Sequence, residues 1–487
     1  MNLNRFFISN KIFLYISIIS IISFQESSAQ NDSLISYLEI AAKNNPLVQQ
    51  KYYEYKAALQ KIPQAGALQD PELNFGVFLQ PMELVEGRQR AEASLMQMFP
   101  WFGVLRNAKD EMSLMANAKY EEFRDAKLQV FYEVQRTFYE LFKLRNNIRI
   151  SGRNEDILKS IESIALIRYK TGPVSNQSTV QQPAGTNKST TGPPAGSSAG
   201  MQGMSGNAGA GSAVSSQQQA MNMQGASGMN ASGTGTNLSD LYRIKIELSD
   251  LENNISLLHD QEQSAIARFN SLLNRSPLSH VFSADTIITD TMDLSSSAII
   301  DSIKSGNPML SMTDYEKQSY ESRKKMVRAM GYPMVGVGLN YSVIDKNVMN
   351  ESSTMNGKDM LMPMFRVTLP IYRKKYKAMK NEAELLIRSS DEKYAGTYND
   401  LQSEYYNALQ MYNDAQRKIN LYNEQFNLAS KSLDLMMSSF STSGSGLTDV
   451  LRVRQQTLDY ELKKSDATAD LNTAVAWIKR LMASDVK

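Results

Sequence analysis

Residues 44–79, "NNPLVQQKYYEYKAALQKIPQAGALQDPELNFGVFL", decide the fold, because residues 306–341, "GNPMLSMTDYEKQSYESRKKMVRAMGYPMVGVGLNY", repeat their pattern. Pro46 aligns with Pro308, Pro71 with Pro333 and Gly76 with Gly338, all at one offset of 262. The match goes on. "MFPWFGVLRNAKDEM" faces "TLPIYRKKYKAMKNE", pairing Pro100 with Pro370 at an offset of 270, so the second copy has eight more residues between its two prolines. "RYKTG" from Arg168 then faces "SFSTS" from Ser439, at 271, and "LSDLYR" (Leu238–Arg243) faces "LTDVLR" (Leu447–Arg452), at only 209. The fall from 271 to 209 leaves about 62 residues of the first copy without a counterpart: an insertion at one point of a duplicated unit.

Each unit reads as helix, strand pair, long helix, turn, helix. Leu241, Ile244, Leu248, Leu251, Ile255 and Leu258 step by three and four, and Val134, Phe138, Leu141 and Ile148 keep the same seam with Arg145 in one slot. These are coiled-coil faces. From Gly103 to Lys170 there is no proline and, after the start, a single glycine, Gly152. A helix of that span reaches ~100 Å at 1.5 Å per residue, more than a compact domain holds.

Between the prolines the period drops to two. Val335, Val337, Leu339, Tyr341 and Val343 alternate with Gly336, Gly338, Asn340 and Ser342. Leu73, Phe75, Val77 and Leu79 form a second such face, and Leu361, Phe365, Val367 and Leu369 a third, with Met362, Met364, Arg366 and Thr368 between them. Ala93, Leu95, Gln97 and Phe99 are a weaker fourth. Strands of ~9–11 residues with one apolar and one small or polar face suit a membrane barrel wall or a half-buried soluble sheet. Four strands are too few to close a membrane barrel, and open edges do not persist in lipid, so membrane strands would need several chains. Pro71, Pro100, Pro333 and Pro370 punctuate the helix–strand junctions, where a residue without an N–H stops a helix.

Composition narrows the function. Lys and Arg (52) nearly balance Asp and Glu (50), so no excess charge draws the chain to nucleic acid. There is no cysteine, and the only histidines are His259 and His280, which leaves little basis for thiol chemistry, a His-based triad or a His-ligated metal. No carboxylates fall in a recognisable catalytic spacing; the chain reads as a non-enzyme without a cofactor. Arg5 and Lys11 precede the eleven-residue apolar run Ile12–Ile22, followed by small residues at Ser27 and Ala29. Residues 1–29 therefore read as a secretory signal peptide, the run being too short to cross a bilayer comfortably.

The signal peptide, the duplicated unit, the "NNP" and "GNP" starts, the paired junction prolines and the "RYKTG…LSDLYR" and "LTDVLR" turns together resemble the TolC family of outer-membrane efflux proteins. The resemblance covers the whole mature chain. It implies a mainly α fold with a small β part. Long coiled-coil helices would form a periplasmic α-barrel, and each protomer of a homotrimer would lend four strands to a 12-stranded transmembrane β-barrel in outer-membrane lipid. The first repeat would run over 30–300: a helix, a hairpin at about 72–99, a long helix 103–170, an insertion 175–237, a helix 238–274 and a connector. The second would run over 301–487: a helix, a hairpin at about 334–369, a long helix 373–440, a tip turn and a helix 447–484. The implied role is the passive outer-membrane exit duct of a tripartite system, reaching far into the periplasm and partnered by a periplasmic adaptor and an inner-membrane pump of RND type. Within that role the cargo stays open between copper or silver, other heavy metals, drugs and proteins of a type I secretion system. A rival of another class is a secreted coiled-coil structural protein without a pore.

In the family the "DVL" turn lies at the periplasmic mouth, where acidic residues ring the aperture. Asp449 matches such a position, and Arg452 stands where some relatives carry a second acid. An Asp449–Arg452 pair, within or between protomers, would help hold the mouth shut; the equivalent residues of the first copy are Asp240 and Arg243. The plainer reading is a pair of solvated turn residues, since Asp is favoured at a helix start.

Between Thr171 and Ser239 the only charged side chain is Lys188, and Gly, Ser, Ala, Gln and Asn dominate. Such a stretch buries too little apolar area to fold alone, and a hairpin tip tolerates it. Its methionines Met201, Met204, Met221, Met223 and Met229 are soft thioether donors, the kind that select Cu(I) and, by the same reasoning, Ag(I). Neutral filler in a biased linker accounts for them equally.

Overall fold

The computed structural model describes residues 32–84, 87–170, 238–282, 295–346, 357–442 and 446–484. The signal peptide and the insertion with its five methionines lie outside the described residues. The first half runs α1 (Asp32–Asn44), α2 (Pro46–Gly66), β1 (Glu72–Leu84), β2 (Gly87–Phe99), α3 (Val104–Lys170) and α4 (Leu238–Leu272). The second runs α5 (Ser296–Gly306), α6 (Pro308–Met330), β3 (Met334–Asp345), β4 (Met360–Thr368), α7 (Arg373–Ser441) and α8 (Leu447–Leu481). The halves correspond element for element, with α3 and α7 of 67 and 69 residues and α4 and α8 of 35 each.

The two "NP" motifs start α2 and α6 in the same way. Proline at the first helical position gives up no needed donor. The asparagine before it caps the helix: Asn45 Oδ1 accepts from the Leu47 and Val48 amides at 2.9 and 3.4 Å, and Asn307 Oδ1 from the Met309 amide at 2.9 Å. Both side chains do a second job. Asn45 Nδ2 donates to the Leu272 carbonyl at 2.8 Å and Asn307 Nδ2 to the Leu481 carbonyl at 3.0 Å, so each pins the start of one helix to the end of the last helix of its half. Those last helices also end alike. Asn274 and Ala483 turn left-handed, at φ 53° and 50°, and the next amides, of Arg275 and Ser484, reach back to the carbonyls of Asn270 and Lys479. This closure satisfies carbonyls that a helix end otherwise orphans.

Apolar packing follows the duplication. In the first half Tyr37, Val134, Phe138, Leu141 and Phe269 close a core over the middle of α3. In the second, Ile299, Ile303, Leu310, Tyr405 and Ile478 close its counterpart over the middle of α7. A third cluster draws on all four long helices near their tips, with Leu158 and Ile161 from α3, Ile244 from α4, Phe440 from α7 and Val450 from α8. Among the expected seam residues, Leu241, Ile244 and Leu251 are buried and Leu248 and Ile255 pack against them. Arg145, the polar slot, is answered by Glu262 at 2.7 Å and the Val281 carbonyl at 2.9 Å.

The strands form one four-stranded antiparallel sheet in the order β1-β2-β3-β4. Three of the four exceed the expected ~9–11 residues, at 13, 13 and 12, because β1 and β2 carry on past register shifts at Val77/Met82 and Gln89/Ala91. Among the described residues no helix is long and apolar enough to cross a membrane.

Replacing Asn307 with alanine removes a cap and leaves the buried Leu481 carbonyl without its donor. Together these cost about 2–3 kcal/mol, and the same holds for Asn45→Ala. The measurement is thermal unfolding of the purified protein in detergent; an unchanged midpoint in both variants would show that the pins do not matter.

Candidate functional site

At the free ends of the long helices, Asp240 and Asp449 occupy the first turns of α4 and α8, where the helix dipole favours a carboxylate. Arg452 Nη2 bonds Asp449 Oδ1 at 3.0 Å, so the anticipated pair forms within one helix, three residues apart and exposed. A pair of this kind contributes only about 0.2–0.5 kcal/mol. The bond between the hairpins is made instead by Arg243, whose Nη1 donates to Thr448 Oγ1 at 3.0 Å across the gap from α4 to α8. The structure thus brings Arg243, Asp449 and Arg452 to one tip.

Two further clamps there carry no local sequence signal. Arg168, in the last turn of α3, donates to the Phe440 carbonyl at 2.7 Å and lays its guanidinium over the Phe440 ring, 4.5 Å from the centroid. Arg454 is buried in α8 and holds Glu247 of α4 at 3.0 Å. Its Nε and Nη1 find no acceptor among the described residues. Burial lowers its pKa, and Glu247 only partly offsets this.

The other end is the sheet. Its register puts every apolar alternate on one face. Leu73, Leu95 and Leu339 stand in one row, Ala93, Tyr341 and Leu361 in the next, and Phe99, Val335 and Val367 in another. That face is bare: Phe75 is 76% exposed, Phe365 77% and Leu79 97%. The opposite face carries Asn74, Glu92, Ser94, Asn340, Ser342 and Arg366. Pro71, Pro100, Pro333 and Pro370 sit beside the strand ends, and aromatic residues gather with them. Trp101 stacks on Tyr332 at 5.3 Å and 21°, while Phe102 and Tyr372 are exposed. Gly103, at φ +90°, takes a turn into α3 that a side chain would resist.

No group of three or more His, Asp or Glu side chains among the described residues is placed to hold a metal. The thioethers of Met360, Met362 and Met364 lie along β4, all three on the polar face of the sheet.

No protein-family model matches the sequence, and no curated protein matches it. Solved structures do match. The outer membrane protein VceC of Vibrio cholerae shares 12% identity over 93% of this chain and 97% of its own, with a TM-score of 0.66. CusC, described in terms of folding and transmembrane channel formation, shares 12% over 94% and 95%, with a TM-score of 0.68. The MtrE outer membrane channel of Neisseria gonorrhoeae, in its open state, shares 11% over 93% and 90%, with a TM-score of 0.64. Over nearly its whole length, therefore, this chain has the fold of the outer-membrane channel proteins.

Proposed function

We propose that this chain is one of three identical subunits of a passive exit duct in the outer membrane, fed from the periplasmic side by an adaptor and an inner-membrane pump of RND type. The observation that carries the reading is the bare apolar face of the sheet, bounded by β1 and β4, each paired on one side only among the described residues. An apolar sheet face of this size in water invites association, and in lipid the edge N–H and C=O groups need strands from another copy. Three copies supply twelve strands, within the range of closed membrane barrels. The ring of Trp101, Phe102, Tyr332 and Tyr372 at the strand ends suits a membrane–water interface. Leu421, Leu428 and Leu435, exposed on α7 at heptad spacing, give the helices a seam for a neighbouring subunit. A coiled-coil fibre would have no use for such a sheet.

As a passive duct it would draw its selectivity from what is delivered and from the lining. The methionines favour a soft metal ion as cargo over a drug or a secreted protein. At the periplasmic end, three Asp449 carboxylates around a narrow aperture would repel one another; Arg452, bound to each, relieves that repulsion and lets the tips approach.

In detergent the purified protein should run as a particle of three chains by light scattering. A detergent-free single chain in the ultracentrifuge would overturn the proposal. The variant Arg452→Ala, which leaves the three carboxylates unrelieved, should raise single-channel conductance in planar bilayers while leaving the thermal midpoint unchanged, since the exposed pair contributes little to stability. Conductance equal to wild type would remove the pair from closure.

A further inference from the structure

Methionine is distributed over the sheet in a way that its hydrophobicity does not explain. Six methionines lie on the regularly paired part of the strands: Met96, Met98, Met334, Met360, Met362 and Met364. All six share the face that carries Glu92, Ser94, Asn340 and Arg366; none stands among the leucines, valines and phenylalanines of the other. A neutral apolar filler would be placed at least as readily on the lipid-facing side, where water has no claim on the wall.

The packing is specific as well. Met96 lies directly across from Gly338, and Gly338 directly across from Met364, so the glycine opens a gap between two thioethers. Met98 likewise lies across from Gly336. A Cβ at Gly336 would stand 2.5 Å from Met98 Sδ and 3.3 Å from Met96 Sδ; one at Gly338 would stand 3.1 Å from Met96 Sδ and 2.6 Å from the Leu95 carbonyl oxygen. Both sulfurs therefore fill a shelf that the two glycines leave, Met96 3% exposed beneath and the half-buried Met98 beside it. Because both approach the same point beside Gly336, they are less than about 6 Å apart, a separation that one soft cation bridges after a small side-chain swing. Arg366, the cation beside the shelf, is paired with Glu72 at 3.7 Å.

We propose that Met96, Met98, Met362 and Met364 form a weak thioether site for monovalent soft metal ions, Ag(I) and Cu(I), on the inner wall of the barrel. The site rests on the reading of the sheet as barrel wall, with this face toward the lumen. Three copies repeat it as a ring at one height. Thioethers are neutral and bind Ag(I) and Cu(I) through polarisable sulfur without loss of a proton, so the ring discriminates by softness and not by charge. Uncharged, weakly basic donors also release what they hold, as a conduction path requires.

The test is conductance of the purified full-length protein in planar bilayers, in chloride-free nitrate buffer, with silver nitrate added. Micromolar Ag(I) should reduce the current, relative to each protein's own open level, and excess free methionine should reverse the block. Met96→Leu, Met98→Leu, Met362→Leu and Met364→Leu together keep the volume and remove the sulfurs, and should raise the half-blocking concentration at least tenfold. Met98→Leu alone covers the case in which the fourfold variant does not assemble; it should give a smaller shift in the same direction. Leucine at Met201, Met204, Met221, Met223 and Met229 should leave the block in place. A conducting channel that Ag(I) does not block would overturn the site and leave the exit duct standing. So would a block unaffected by the strand variants, or one lost with the insertion variant. A protein that does not conduct at all would overturn both.

Discussion

The backbone along the outer edges of β1 and β4 is the constraint on which the rest of the structure depends. A sheet with one apolar face can hide that face in a core, but here the helices stack beyond its ends and not over it, and the apolar side stays bare. In a hydrocarbon surrounding, each unpaired edge group would cost several kcal/mol. On the proposed reading the sheet is stable only as part of a larger closed surface, and the helices would have to be spaced to let copies meet. The exposed leucines of α7 fit the same proposed assembly, in which a rod in a ring of rods would have two neighbours and one chain supplies only some of them.

Duplication makes such spacing possible. Each half folds on a compact hub in which an asparagine ties the second helix to the end of the last, beneath a closed apolar core. The hubs fix where the strands leave and where the long helices begin. Contacts of α6 with α3, and of α3 with α8, then lock one half against the other, so the paired hubs set the sheet's width and the helices' separation together. Near-equal lengths in the two halves, 67 and 69 residues for α3 and α7 and 35 each for α4 and α8, bring the tips together in one cluster.

Much of this was legible in the sequence. Periodicity alone identifies the seam of Leu241, Ile244 and Leu251, because a buried helical stripe has to recur at three and four. Alternation identifies Val335 to Val343, because the glycines opposite remove any competing pattern. The asparagine pins were only half legible: a cap is local, but the acceptors of Asn45 and Asn307 lie 227 and 174 residues away. Arg454 looked like any helical arginine, since its burial and its partner Glu247, 207 residues away, appear only in the fold. The methionine shelf was hidden for a related reason. Met96 and Met98 alternate with the weakest of the four apolar faces, and they face Gly338 and Gly336 only once the pairing of β2 with β3 is known.

The place of the insertion follows from the same packing. It separates Lys170 from Leu238, and the chain on both sides is held below the tip. Ile161 and Ala165 lie in the tip cluster before it and Leu241 and Ile244 after it, while Arg168 is bonded to Phe440 and Arg243 to Thr448. The two arginine bonds are made to the other hairpin, so the register of α4 is held by contacts that do not run through the residues preceding it. A chain can lengthen at such a point at the cost of loop closure alone, which grows only as the logarithm of length. The second tip, with Ser441 and Leu447 a few residues apart, shows that the fold needs no more than a short turn there. The cluster that holds the four helices together is built from residues on both sides of that point.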